Sequence, residues 1–178
     1  MNRYLITAAF AVVPCLAFAQ GPGDVGPEAG DREFTISGTG SSDQDFDNSS
    51  AGVSGEFGWY LSRELEVGIR QSLNFADIEG EDISNDAWNG ATRGFADYHF
   101  GSAALRPFVG ASLGGIYGDG VNDSAFAGLE TGLKYYVLPR TFIVGRAEYQ
   151  FFFDDAGDAD EGFDDGAWAY GVGVGFNF

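Results

Sequence analysis

The sequence predicts an all-β protein, an eight-stranded antiparallel up-and-down transmembrane β-barrel. Three observations predict it. Apolar residues recur at every second position over segment after segment, which is the strand period and not the helical one. The connections between segments are alternately short and long. An export signal stands at the start of the chain, and no later apolar run reaches the roughly 18–20 residues a membrane helix needs.

Residues 1–19 read as a signal peptide. Arg3 is the positive start, Tyr4 to Val13 is an apolar stretch too short to span a bilayer, and Ala17-Phe18-Ala19 puts small residues where a signal peptidase reads. Cleavage is expected before Gln20. Cys15 would be a lipid anchor in a lipoprotein, but Pro14 stands where a small residue is needed. Residues 20–31, QGPGDVGPEAGD, read as a flexible leader.

From there eight segments follow, at about 32–40, 51–61, 64–75, 88–100, 105–117, 125–138, 141–153 and 166–178, in one barrel domain over 32–178. In the second, Val53, Gly55, Phe57, Trp59 and Leu61 alternate with Ser54, Glu56, Gly58 and Tyr60. In the third, Leu65, Val67, Ile69, Leu73 and Phe75 alternate with Glu66, Gly68, Arg70, Ser72 and Asn74. In the last, Trp168, Tyr170, Val172, Val174, Phe176 and Phe178 alternate with small residues and Asn177. Each segment is near or above the roughly 9–11 residues of a tilted membrane strand. The short turns are Ser62-Arg63, Gly101–Ala104 and Pro139-Arg140. The long connections, 41–50, 76–87, 118–124 and 154–165, hold 17 of the 27 acidic residues and no Lys or Arg.

Composition removes several function classes. The formal charge of −18 repels phosphate backbones, so nucleic acid is not an expected partner. One Cys excludes an internal disulfide framework, and one His makes a histidine metal site improbable. The 28 glycines and the aromatic content of 16% suit strands and turns.

Ten charged residues are placed within the segments: Arg70, Arg93, Arg106, Lys134 and Arg146 against Glu56, Glu66, Asp97, Glu130 and Glu148. Alternation puts all ten on the face opposite the main apolar set. If the apolar face turned inward, Trp59, Trp88, Trp168, Tyr170, Tyr149 and several Phe would crowd a lumen that eight strands make only side-chain wide. The inverse assignment puts large apolar residues against lipid, small residues such as Gly110, Ser112, Gly114 and Gly173 inside, and the charges among them. Trp59, Tyr98, Phe100, Phe176 and Phe178 would form an interfacial girdle. The charges then form a lumen network. It reads either as a structural ion-pair filling or as a gate around Arg146, Glu148, Glu56 and Arg70.

Several stretches carry a family resemblance: Phe57-Gly58-Trp59-Tyr60-Leu61, Asp97-Tyr98-His99-Phe100, Arg106-Pro107-Phe108-Val109-Gly110-Ala111, Gly132-Leu133-Lys134-Tyr135-Tyr136 and Gly171–Phe178. With these the chain resembles the small eight-stranded outer-membrane barrels of Gram-negative bacteria, the OmpA/OmpX-like group of the porin superfamily. The resemblance covers about 32–178. It implies a cell outer-membrane location. It also implies lipid and lipopolysaccharide as surroundings, and a monomer. Gly173, Phe176 and Phe178 would be the signal read by the barrel-assembly machinery, although Gly171 stands where a polar residue is more usual. Unlike full-length OmpA-type members, no peptidoglycan-binding domain is expected after the barrel.

No cofactor and no metal site are expected. The run Asp154–Asp165 does not fit EF-hand spacing, and its expected role is loose attraction of divalent cations. No catalytic residues are expected either. Some small outer-membrane barrels modify lipid A with a Ser, a His and an acid, but His99-Phe-Gly-Ser102 lacks the His-x-Ser spacing that shares a strand face. The Gly171–Gly175 run has no helix after it and is no nucleotide loop. The expected function is non-enzymatic: a structural or surface role, or a very narrow ion channel, with acidic extracellular loops. The alternatives are surface adhesion or ligand binding, and then a lipid A-modifying enzyme.

Overall fold

The computed structural model describes residues 25–43, 49–76, 87–118, 124–153 and 166–178. The signal segment 1–19, the acidic run 154–165 and most of the other long connections lie outside these residues. Eight strands follow in order: β1 Arg32–Asp43, β2 Ser49–Tyr60, β3 Leu65–Ala76, β4 Ala87–His99, β5 Leu105–Gly118, β6 Ser124–Leu138, β7 Thr141–Phe153 and β8 Gly166–Asn177. Each pairs antiparallel with the next, and β8 returns to β1, so the sheet is a closed barrel. The closing seam ends in a reciprocal pair, Arg32 N–H to the Phe178 carbonyl and Phe178 N–H to the Arg32 carbonyl, both 2.9 Å. Closure leaves no unpaired edge, as a backbone in hydrocarbon requires.

Strands β1 and β2 extend beyond the sequence expectation, through Asp43 and from Ser49. Ser41 and Ser42 pair with Ser50 and Ser49 there. The alternation that marks a strand is missing in such an all-polar stretch, so periodicity ended the strand early. The short turns sit together at one end, with Gly101 at φ +76° in the β4–β5 turn, a left-handed conformation that favours glycine.

The two faces are sharply divided. Leu113, Leu129 and Ile36 point outward with 67%, 62% and 60% of their surface exposed, while Glu66, Lys134 and Arg106 are fully buried in the lumen. A continuous apolar exterior of this extent suits lipid, not water. Trp59, Tyr98, Phe100, Phe176 and Phe178 are all exposed near the turn end. Their rings touch, with Tyr98 against Phe100 at 5.2 Å and Phe176 stacked on Phe178 at 6.3 Å. Tyr149, Trp168 and Tyr170 group nearer the loop end.

The interior departs from the expectation of charges among small residues. Tyr60, Phe95, Phe108, Phe126, Tyr136 and Phe142 also face inward and are buried. Three of the rings lie over glycines of the adjacent strand: Phe95 on Gly68, Phe108 on Gly132 and Phe142 on Gly175. The missing side chain on one strand makes the room that the ring on its neighbour fills.

The leader also differs from the flexible segment expected over 20–31. Its described part, residues 25–31, crosses the turn-side mouth. Gly30 N–H donates to the Tyr60 carbonyl (2.8 Å), and Gly26 N–H donates to the Pro139 carbonyl in the β6–β7 turn (3.0 Å). Val25 packs on the buried cluster of Phe108, Tyr136, Phe142 and Val144. Gly26 has φ +95°, and a Cβ there would come within 2.9 Å of Arg106 Nη1. These contacts with both sides of the mouth order a Gly/Pro-rich stretch that local composition marks as loose.

Candidate functional site

The lumen gathers the protein's strand charges into two tiers. The lower one, at the turn end, is built around Lys134 of β6. Its Nζ donates to Glu33 Oε1 (2.7 Å) and Oε2 (2.8 Å), to Glu66 Oε2 (2.7 Å) and to the Tyr60 hydroxyl (2.9 Å). Tyr60 in turn donates to Glu33 Oε2 at 2.8 Å, and Asn177 Nδ2 to the same oxygen at 3.1 Å. Tyr136 donates to Asn177 Oδ1 at 2.9 Å. The Lys134 ammonium lies 4.8 Å from the Phe142 ring centroid, a cation–π contact in a desolvated place. Carboxylate oxygens of Glu33, Glu56 and Glu66 lie within 4.8 Å of one another, a spacing metal ions use. Here the Lys134 ammonium takes the place of a metal, pairing with Glu33 and Glu66.

The upper tier lies at mid-height. Arg70 Nε donates to Glu56 Oε2 at 2.6 Å, and its two terminal nitrogens clasp Glu130 at 2.8 and 3.1 Å. Arg146 clasps Glu56 from the other side at 2.5 and 3.2 Å. Glu56 therefore shares one carboxylate between two guanidiniums. Arg93 pairs with Glu148, which also accepts from Ser112 and, at 2.9 Å, from Gln150. Forked guanidinium–carboxylate pairs are the strong kind of charged hydrogen bond, and each pair answers the cost of burying its charges. The rings of Phe95, Phe126 and Phe108 sit beside Arg70, Arg93 and Arg146 at 4.7, 5.0 and 5.7 Å.

All ten charges named from the sequence lie on the lumen side, and eight of them join these pairs. Asp97 and Arg106 stand outside them. Asp97 is buried against Gly110, and Arg106 Nη2 donates to the Arg63 carbonyl at 2.5 Å. An eleventh charge, Glu33, is central to the lower tier and escaped the sequence reading, which counted five charges of each sign. Its position two residues before Thr35 and four before Ser37, both inward, is the signal that finds it. Tyr60, Gln150 and Asn177 escaped for another reason: neutral polar residues of inward parity carry no charge to count.

His99 points into the lumen with Nε2 at 3.6 Å from Glu66 Oε2, whereas Ser102 is exposed in the β4–β5 turn. Among the described residues no serine hydroxyl meets His99. Gly173 faces inward against Ser37, and Phe176 and Phe178 face outward in the girdle.

A closed barrel with an apolar exterior, girdles of aromatic rings and a charged, ion-paired interior is a small transmembrane β-barrel of the bacterial outer membrane. The chain belongs to the OprF membrane domain family, which it matches over residues 4–178. It is 30% identical over 174 residues to outer membrane porin F of Pseudomonas aeruginosa, a match covering 91% of this chain and 47% of that protein. The chain thus spans about half the length of that relative. The crystal structure of the N-terminal β-barrel domain of Pseudomonas aeruginosa OprF aligns with a TM-score of 0.56 and 25% identity, covering 82% of this chain and 97% of that one. The outer membrane protein OprG of the same organism shares the fold at 13% identity, with a TM-score of 0.62 over 87% of this chain and 99% of its own.

Proposed function

We propose that this protein is a non-enzymatic structural barrel of the outer membrane, whose paired lumen charges rigidify it and whose acidic loops meet the medium. One observation carries the reading: the lower tier, tied together by Lys134, and the segment 25–31 fill the turn-side half of the lumen with packed side chains and backbone. An ion entering from the loop end would have to break the Lys134 cluster to pass. The test is a planar-bilayer recording of the refolded mature protein, with folding checked by the heat-dependent gel shift of barrels. A silent bilayer is the expected result. Steady current through the folded wild type would overturn it.

A second reading, a very narrow channel, is favoured by the Glu56 carboxylate, which Arg70 and Arg146 share. Exchange of one partner is a cheaper rearrangement than creation of a lone charge. The relative's name, porin, points the same way. This reading requires discrete current steps that Arg146→Ala and Glu148→Ala alter. In either case the surroundings are lipid and lipopolysaccharide. Gly173, Phe176 and Phe178 would serve the assembly machinery, the loops would attract divalent cations loosely, and the barrel would be monomeric. An adhesion role would appear as a loop-deletion phenotype without current. A lipid A-modifying role would be lost on His99→Ala, and no change in lipid A is expected.

A further inference from the structure

Above the upper tier the lumen is hollow among the described residues. A cavity of about 210 Å³ reaches from Arg93 and Arg146 up to the last described residues of the loop end. Its walls differ. The side formed by β1 to β4 presents Ser37, Thr39, Ser54, Ser72, Asn74 and Asn89. The side formed by β7 and β8, which closes onto β1, presents Phe152, Ala167 and Ala169 together with Glu148 and Gln150.

The charges at the floor are committed. Arg70 holds Glu56 and Glu130, Arg146 holds Glu56, and Arg93 holds Glu148. An ionic solute would have to break one of these pairs in a weakly screened interior, where an orphaned charge is very costly. Arg93 Nε and Arg146 Nε make no hydrogen bond, but they are buried and each guanidinium is already ion-paired; the other uncommitted groups are neutral. Thr39 Oγ1 donates to Asn74 Oδ1 (3.1 Å) and Asn74 Nδ2 donates to Asn89 Oδ1 (3.1 Å), leaving the Asn89 amide hydrogens at the end of the chain. The hydroxyls of Ser37 and Ser54 make no hydrogen bond among the described residues. The wall therefore offers donors and acceptors together, and the β7–β8 side adds one phenyl ring and two alanines above the paired Glu148 and Gln150.

We infer that this vestibule is a binding site for a neutral polyhydroxyl ring of monosaccharide size. Such a ring carries hydroxyls around its edge, each able to donate and accept, and a C–H face. The edge matches the Ser/Thr/Asn wall, and the C–H face matches Phe152 and the two alanines. The volume is that of about seven waters at roughly 30 Å³ each, below the roughly 300–1,000 Å³ of drug-sized pockets. The site takes one sugar ring, free in solution or at the end of a surface glycan. It does not depend on whether the barrel conducts.

The test uses the refolded mature protein in a zwitterionic detergent without a sugar headgroup, followed by amide NMR. It is titrated separately with methyl α-glucopyranoside, with the oligosaccharide released from lipopolysaccharide by mild acid, and with sodium acetate. Saturable shifts at Ser37, Ser72, Asn89 and Ala169 with a sugar, and none with acetate, are expected. The more effective sugar identifies the source. Ala169→Phe fills the cavity from the β8 side, beside its cross-strand neighbour Ser41 and without altering Ser37, Ser72 or Asn89, and should abolish the shifts while the gel shift shows a folded barrel. Asn89→Leu should weaken binding about tenfold. No saturable response to either sugar, saturation by acetate instead, or unchanged binding in folded Ala169→Phe would each overturn the assignment.

Discussion

Replacing Lys134 by Met tests how the lumen is held. Methionine keeps the length and bulk of the lysine stem, so the change removes the ammonium and little else. Four hydrogen bonds go with it, three of them to carboxylate oxygens, and Glu33 and Glu66 are left fully buried with their negative charges facing each other. Removing one partner of a buried ion pair costs about 3–5 kcal/mol, and this ammonium serves two carboxylates, so the upper end applies. With a urea slope of roughly 2 kcal/mol/M, the unfolding midpoint falls by about 2 M. The triple variant Lys134→Met, Glu33→Gln, Glu66→Gln removes the orphaned charges and should recover to within about 1–2 kcal/mol of the wild type. The assay is urea unfolding in phospholipid vesicles, read by tryptophan fluorescence and by the folded and unfolded gel bands. A loss below about 1 kcal/mol, the size of an exposed pair, would refute the reasoning. So would a triple variant no better than the single one. Either result would mean that water reaches the lower tier and neutralises it.

Four further substitutions probe the packing and the lipid face. Gly132→Ala drives a Cβ into the Phe108 ring and the Gly145 carbonyl, whereas Gly55 has open space around it. The first should cost about 1–3 kcal/mol and Gly55→Ala should be neutral or stabilising, by the same unfolding assay. Gly26→Ala strains a φ of +95° and presses on Arg106, so a loss of about 1–2 kcal/mol and faster proteolysis near residue 26 are expected. Leu129→Arg, mid-strand and facing out, should cost about 2–4 kcal/mol in vesicles. An unchanged midpoint there would place that face in water instead of lipid.

The lower tier shows how far the chain could be read without its fold. Strand identity and side-chain face follow from neighbours two residues apart, so Arg70, Glu66 and Ser72 declare a common face by position alone. The same parity points Phe95 inward, between Arg93 and Asp97, and Tyr136 inward, two residues after Lys134. The general expectation of large apolar residues against lipid did not single these rings out. Their parity is the better guide, and Gly68 and Gly175 on neighbouring strands supply the space. Local composition misleads most at residues 25–31, where glycines and prolines suggest looseness and contacts with Tyr60 and Pro139 impose order.

The sequence by itself determined the strand count, the up-and-down order, the apolar exterior and the charged residues of β2 to β7 that line the lumen, because alternation and turn length are local properties. Only the tertiary structure decided who pairs with whom. Glu33 and Lys134 stand 101 residues apart, and Glu56 and Arg146 stand 90 apart. They meet across the lumen because register fixes each strand's height against its neighbours and closure brings β1 round to β8. The same long-range geometry separates a filled turn-side half from a hollow loop-side half. Residues of identical parity serve both halves, so no local pattern distinguishes them.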